Sequence, residues 1–291
     1  MKSSWRRGTT SRLLGKARRS LLRVPIVRHW SDWTYYAALG RHAEQLRSTQ
    51  QYATEVLDTL RTRRLAQLYG RKVVPHDVVA KARDLCRELG EGTGSRITIE
   101  SSHADTSAML PLYAWGLSTA NLDLAEAYIG LPVRYLGAAV KRERADGRPD
   151  DIRQWHIDVE DRRMLKLIVY LCDVDEGTGP LEYLDREHTE RARSKLRYWT
   201  GFVNDERMHQ VIARDHWRCA TGPDLTMIML DTCRIFHRAR PPVARDRYSV
   251  TFSYCSQFAY QVYPEFLPGK EMVSALSDHL TERQREAWLH A

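Results

Sequence analysis

Apolar positions in the first third of the chain recur at helical spacing. Between Trp33 and Tyr69, Tyr36, Leu39, Ala43 and Leu46, then Val56, Leu57, Leu60, Leu65 and Leu68, keep the period that lines one face of an α-helix. Pro75 to Leu89 repeats it in Val78, Val79, Ala82, Leu85 and Cys86, and Gly90 stands where a left-handed C-cap belongs. Then the period changes. Arg96 to Glu100 alternates as a strand does, and Ser118 to Ile129 returns to helix, stopped by Gly130 and Pro132. From about residue 150 the chain becomes strand-rich: Gln154 to Asp158, Met164 to Leu171, Leu181 to Leu184, Leu225 to Leu230, Arg234 to Arg238 and Arg247 to Ser256. Helices interrupt at Thr189 to Trp199 and from about Thr281 to Leu289, where Thr281 and Gln284 form a capping box. Helices first and short alternating strands afterwards predict an α+β chain, an antiparallel sandwich or jelly roll backed by helices.

Composition narrows the class. With 291 residues, 43% apolar and 28% charged, the chain buries a real core, which excludes disorder, collagen and coiled coil as descriptions of the whole. The net charge of +8 points at first to nucleic acid or anionic lipid. Its location weakens that reading. Residues 1–30 hold nine basic side chains and no acid, and the remainder holds 36 basic against 37 acidic. This segment reads as a basic surface helix capping the domain; its Arg-rich, acid-free composition also matches an organelle transit peptide. Five scattered cysteines without CxxC spacing argue against a disulfide framework or structural zinc, and for a reducing cytoplasm. No run approaches the ~18 apolar residues of a membrane span. Arginine outnumbers lysine 37 to 8, which points to a GC-rich genome such as an actinobacterium's.

The chemistry gathers in the strand block. In Trp155-His156-Ile157-Asp158, residues two apart face one side of a strand, so His156 and Asp158 point together. A later strand brings His237. Two imidazoles and one carboxylate on a single face of an octahedral metal leave three positions open, the arrangement of oxygen-activating non-haem Fe(II). His-x-Asp alone is unspecific, since His103-Ala104-Asp105 repeats it. Ten residues beyond His237, alternation puts Arg247, Ser249, Thr251 and Ser253 on one face of a strand. An inward arginine there needs an anion, and offers a bidentate fork to a carboxylate with a hydroxyl two residues on. Gln154 shares the parity of His156 and Asp158, facing substrate, the ligands or water. Lys166 shares the parity of Ile168 and Tyr170; pointing inward it needs a bound anion or Glu182, and otherwise it is a solvated edge residue. The eight tryptophans and fourteen tyrosines line a ring-binding mouth or fill core and interface.

Taken together, QWHIDVEDRRMLKLIVYLCDVDEGTGPLEYL (154–184) and DTCRIFHRARPPVARDRYSVTFSY (231–254) resemble the phytanoyl-CoA dioxygenase-like group of Fe(II)/2-oxoglutarate-dependent oxygenases, over roughly residues 110–260. The resemblance implies a double-stranded β-helix (jelly-roll, cupin-like) core with N-terminal helices packed on it. It implies His156, Asp158 and His237 on Fe(II), and Arg247 with Ser249 on the distal carboxylate of 2-oxoglutarate; Lys166 is a further candidate for that cosubstrate and Gln154 for the substrate. The implied reaction consumes O2 and decarboxylates 2-oxoglutarate to succinate and CO2 while oxidising a small molecule, a natural-product or carbohydrate intermediate. Asp158 fills the ligand position that halogenating relatives leave to a small residue, which favours hydroxylation, desaturation or ring closure. After Leu184, where the family usually shows Pro-Gly-Ser-His, this chain has Asp185-Arg186-Glu187-His188. The expected organisation is a basic segment 1–30 and one oxygenase domain 31–291, helical over 31–95, jelly-roll over about 96–260, with a C-terminal helix at 281–289. Two rivals remain: a non-catalytic β-sandwich binding nucleic acid or membrane through its basic N-terminus, and a protein side-chain hydroxylase on the same fold.

Overall fold

Ten residues of unbroken alternation make β9 (Arg247–Ser256), and the two faces of that strand divide the molecule. The computed structural model describes residues 21, 24–46, 51–69, 74–91, 98–100, 106–262 and 270–289. Most of the basic N-terminal segment and the triplet His103-Ala104-Asp105 lie outside the described residues. Strand β9 runs antiparallel between β3 (Val133–Glu143) and β4 (Met164–Tyr170). With β1 (Leu65–Leu68), β2 (Thr98–Glu100) and β7 (Met227–Asp231) they form a sheet of order β1-β7-β4-β9-β3-β2. A smaller sheet has the order β6-β5-β8, from β6 (Arg218–Ala220), β5 (Leu181–Tyr183) and β8 (His237–Ala239).

One face of the large sheet meets helices. Val250, Phe252 and Tyr254 of β9, Leu165, Leu167 and Val169 of β4, and Met227 and Met229 of β7 pack with α1 (Pro25–His42), α2 (Gln51–Arg63), α3 (His76–Glu91), α4 (Thr106–Gly116) and α5 (Thr119–Ile129). Helices α8 (Lys270–Ser277) and α9 (Glu282–Leu289) close the same layer through Met272, Leu276 and Trp288. The opposite parity, Arg247, Ser249 and Thr251 with Lys166, Ile168 and Tyr170, faces a cavity shared with the small sheet. The order of layers is helices, large sheet, small sheet. Phe252 is fully buried, with the Trp115 ring 4.5 Å from its own. Phe252→Ala is expected to lower the unfolding free energy by about 3–5 kcal/mol, read from the denaturant midpoint. At Gly116 a Cβ would sit 2.2 Å from the Tyr135 hydroxyl, and Tyr254 Oη donates to its carbonyl at 2.7 Å, so the α4 terminus and the sheet meet backbone to ring.

Local signals mostly hold. Ser118 caps α5 and Gly130 ends it at φ +84°. Thr281 and Gln284 make the capping box, with Thr281 N–H donating to Gln284 Oε1 at 2.9 Å. The departure Asp185-Arg186-Glu187-His188 opens α6 (Arg186–Lys195): Asp185 is its N-cap, accepting from His188 N–H at 2.9 Å, so that helix starts earlier than Thr189 and stops before Trp199.

Four expectations are corrected. Leu65 and Leu68 do not continue a helix: Arg64 turns the chain at φ +66°, and β1 pairs with β7. A four-residue edge strand with three apolar positions cannot be told from helix by spacing, and main-chain pairing decides. Helix α3 runs through Gly90 to Glu91, so Gly90 is not its cap. Strand β3 precedes the expected strand block, and its alternation is broken by a register shift between Tyr135 and Ala138, with Gly137 at φ +95°. Gln154 to Asp158 is no continuous strand. A single 3₁₀ turn (Asp151–Arg153) leads into two isolated bridges, Trp155 with Val203 and His156 with His237. Among the described residues, no helix is long and apolar enough to cross a membrane.

Candidate functional site

The bridge between His156 and His237 builds the centre. Each residue donates its main-chain N–H to the other's carbonyl at 3.0 Å, a hydrogen-bonded antiparallel pair that sets the two side chains abreast. Their ring centroids are 4.4 Å apart. Two residues on, Asp158 N–H donates to the Thr232 carbonyl at 2.9 Å, which fixes the carboxylate beside them. Nε2 of His156 lies 3.6 Å and Nε2 of His237 lies 3.9 Å from Asp158 Oδ1. One ligand atom from each residue falls within 4.8 Å of the others, spacing suited to a single ion.

Neighbouring groups fix the orientation and protonation of all three. His156 Nδ1–H donates to the Gln154 carbonyl at 2.8 Å, and His237 Nδ1–H donates to the Ile235 carbonyl at 3.2 Å. A carbonyl only accepts, so Nδ1 carries the hydrogen and Nε2 presents its lone pair. Burial lowers the pKa of His156, and burial followed by the neighbouring His156 pushes His237 down to about 3. Burial opposes the charge on Asp158, but Lys166 and the two histidines outweigh it and hold the carboxyl below its ordinary range. Neutral imidazoles and an ionised carboxylate are the states a metal ion requires. The Phe202 ring packs edge-on against His156, with centroids 5.3 Å apart.

Lys166 points inward, and its anion is neither Glu182 nor a free partner. Its Nζ lies 2.5 Å from Asp158 Oδ2, which leaves Oδ1 turned to the histidines. Glu182 is taken by Arg238. Gln154 contributes its main-chain carbonyl to His156, while its side chain lines neither of the cavities at the centre. Sequence reasoning missed Glu160, although it continues the parity of His156 and Asp158. It lines the same cavity, and burial followed by the charge of Asp158 pushes its carboxyl up to about 7.

Two cavities meet at Asp158. The first, about 220 Å³, lies between the sheets and runs from the His–Asp–His cluster to Arg247, Ser249 and Tyr170. Arg247 is 5% exposed, and its Nε and Nη1 have no hydrogen-bond partner. Directly across β3 and β9 stands Glu143, but Arg153 Nε already donates to that carboxylate at 2.8 Å. A buried guanidinium with open donors lining a cavity is able to take an anion. The second cavity, about 370 Å³, opens on the other side of Asp158 between α1 and the turn before β8, with walls from Tyr35, Tyr36, Tyr198 and Trp199.

No protein-family model and no curated protein matches this sequence. Solved structures do resemble it. EctD from S. alaskensis, with 2-oxoglutarate and 5-hydroxyectoine, is 18% identical and covers 78% of this chain and 86% of its own, at a TM-score of 0.52. The non-heme alpha ketoglutarate dependent carbocyclase SnoK from nogalamycin biosynthesis is 16% identical, covering 82% and 92%, also at 0.52. HygX from Streptomyces hygroscopicus, with nickel and 2-oxoglutarate bound, is 14% identical, covering 72% and 88%, at 0.50. At such identities the likeness is one of fold, and it is on the fold of EctD, SnoK and HygX that this chain carries its His156–Asp158–His237 cluster and its buried Arg247.

Proposed function

We propose that the chain is an Fe(II)- and 2-oxoglutarate-dependent oxygenase acting on a small molecule, built as one domain over 31–291 around a double-stranded β-helix (jelly-roll) core. The observation that carries this reading is the 220 Å³ cavity, which has a two-histidine, one-carboxylate cluster at one end and an unpartnered buried guanidinium at the other. The donor set suits Fe(II), and the orphaned arginine suits the far carboxylate of a dicarboxylate whose near end reaches the metal. Structural neighbours solved with 2-oxoglutarate bound, HygX and EctD, and the alpha ketoglutarate dependent SnoK support the same assignment. A non-catalytic sandwich gives no reason to bury Arg247 without a partner.

His156 and His237 hold the metal through Nε2, their rings fixed by the Gln154 and Ile235 carbonyls. Asp158 offers Oδ1, and Lys166 restrains the other oxygen so that the carboxylate binds through one atom. Arg247, with Ser249 on the same face, takes the distal carboxylate of 2-oxoglutarate and thereby sets the pose of its keto-acid end. Bound iron and 2-oxoglutarate supply O2 activation and the oxidising equivalents that remove a hydrogen atom from the substrate. The second cavity, sharing Asp158 with the first, admits the substrate from the opposite side. With Asp158 present as a ligand, hydroxylation, desaturation or ring closure is the expected outcome.

Anaerobic titration of the full chain with Fe(II) and 2-oxoglutarate is expected to develop the weak visible charge-transfer band of the chelate. His156→Ala and His237→Ala are each expected to lose it. An absent band with the native chain, or an unchanged one in both variants, removes the assignment.

A further inference from the structure

Charges in the second cavity are unevenly answered. Its four carboxylates all have partners. Asp32 accepts from Arg162 Nε at 3.0 Å, and Asp158 is held by Lys166. Asp161 accepts main-chain N–H groups of Ser256 and Arg162, both at 2.6 Å, and Glu190 faces Arg193 at 3.7 Å. The cations divide differently. Arg162 is committed to Asp32 and Ser31 and sandwiched between the Tyr35 and Tyr260 rings at 4.5 and 4.3 Å. Among the described residues Arg163 donates to the carbonyls of Tyr128 and Ile129 alone, at 3.3 and 3.5 Å and through one nitrogen. Arg234 donates no side-chain hydrogen bond among the described residues, though it lines the cavity. The unmatched capacity is cationic.

A buried bracket joins the stretches that carry these two arginines, both of which line the cavity. Asp231, fully buried at the end of β7, accepts main-chain N–H groups of Met164 and Cys233 through Oδ1, both at 3.2 Å, and the Tyr128 hydroxyl through Oδ2 at 2.6 Å. Met164 follows Arg163 and Cys233 precedes Arg234, so one carboxylate ties the two stretches that bear the guanidinium groups. Arg234 N–H closes the turn onto the Asp231 carbonyl at 3.1 Å. The Asp231 charge attracts Arg234, but its oxygens are engaged by these donors and the guanidinium's own donors stay open toward the cavity.

We propose that this cavity selects a substrate bearing an anionic group, a carboxylate or a phosphate, clamped by Arg234 and Arg163 while its ring-like or aliphatic body lies against Tyr36, Tyr198 and Trp199. The inference rests on the oxygenase reading, because it takes the space beside Asp158 as the substrate's. Two forked donors on fixed turns match the paired oxygens of either group, and aromatic faces suit a flat or hydrocarbon body.

The test uses the full chain loaded anaerobically with Fe(II) and saturating 2-oxoglutarate, which fills the Arg247 site, and measures calorimetric binding of benzoate, phenyl phosphate and benzyl alcohol. At least one anionic probe is expected to bind about tenfold or more tighter than the alcohol, the winner telling carboxylate from phosphate. Arg234→Gln, and separately Arg163→Gln, are expected to weaken that probe by about tenfold, leaving the alcohol and the chelate band unchanged. Anionic probes binding no tighter than the alcohol, none of the probes binding to band-positive protein, or both variants binding them as the native chain does would each overturn the proposal. If the chelate band never forms yet Arg234→Gln still loses the anion, the oxygenase reading falls and the anion site stands.

Discussion

Asp158→Ala is expected to strip the chain of tightly held Fe(II) and to lower 2-oxoglutarate consumption by about a thousandfold or more, well beyond the 10–100-fold of an outer partner. Two effects meet in this one residue. Its Oδ1 is the point on which both histidine Nε2 atoms converge, at 3.6 and 3.9 Å, so its removal leaves two neutral imidazoles and no charged member of the cluster for a dication. Its Oδ2 is also the anion of Lys166, which is left in the cavity with Glu160 as the remaining carboxylate charge acting on it. Breaking one side of a fully buried pair destabilises by about 3–5 kcal/mol, and this part-buried pair should lose less but still melt earlier. The double variant Asp158→Ala with Lys166→Met separates the roles, because removing both partners of a buried pair is close to neutral. It should regain thermal stability and still bind no iron. Metal content after gel filtration and the unfolding midpoint check both; iron retained at one per chain in the single variant refutes the ligand role.

The parts of this centre that were legible in the sequence are those set by local periodicity. His156, Asp158 and even the overlooked Glu160 share one parity, and Arg247, Ser249 and Thr251 share another along an uninterrupted strand. For Arg247, Ser249 and Thr251 the side of the sheet followed from alternation, whereas Gln154 shares the parity of His156 without lining either cavity. What was not legible is whatever depends on a non-local pairing. The two histidines come together through one isolated bridge rather than a ladder, and β3 was hidden by the shift near Gly137. The same holds for charge. Lys166 read as wanting an anion, but only folding decides that the anion is Asp158 while Glu182 goes to Arg238. The pair of arginines beside Asp231 had no sequence signature, since residues 163 and 234 meet only because β4 and β7 are neighbours in the sheet.

Arg247→Met is expected to weaken 2-oxoglutarate binding by about a hundredfold while stabilising the chain in the absence of cosubstrate, and the opposite signs make it diagnostic. A buried cation with two unpartnered nitrogens opposes folding, since its desolvation is not offset by hydrogen bonds. Replacement by an apolar side chain of similar length removes that penalty, and the chain should gain about 1–3 kcal/mol in denaturant unfolding. The same guanidinium lines the cavity as a buried cation without a hydrogen-bond partner among the described residues, opposite a Glu143 that Arg153 already holds. A charged, desolvated partner removed from a bound carboxylate costs about 2–5 kcal/mol of affinity, and a hundredfold falls inside that range. Iron content should not change, because Arg247 stands at the other end of the cavity from the cluster. A variant that unfolds earlier without cosubstrate would show that the arginine holds the sheets together instead; one that unfolds later and no longer yields the chelate band at native 2-oxoglutarate concentrations places stability and function in opposition at this residue, as expected of a site kept for binding.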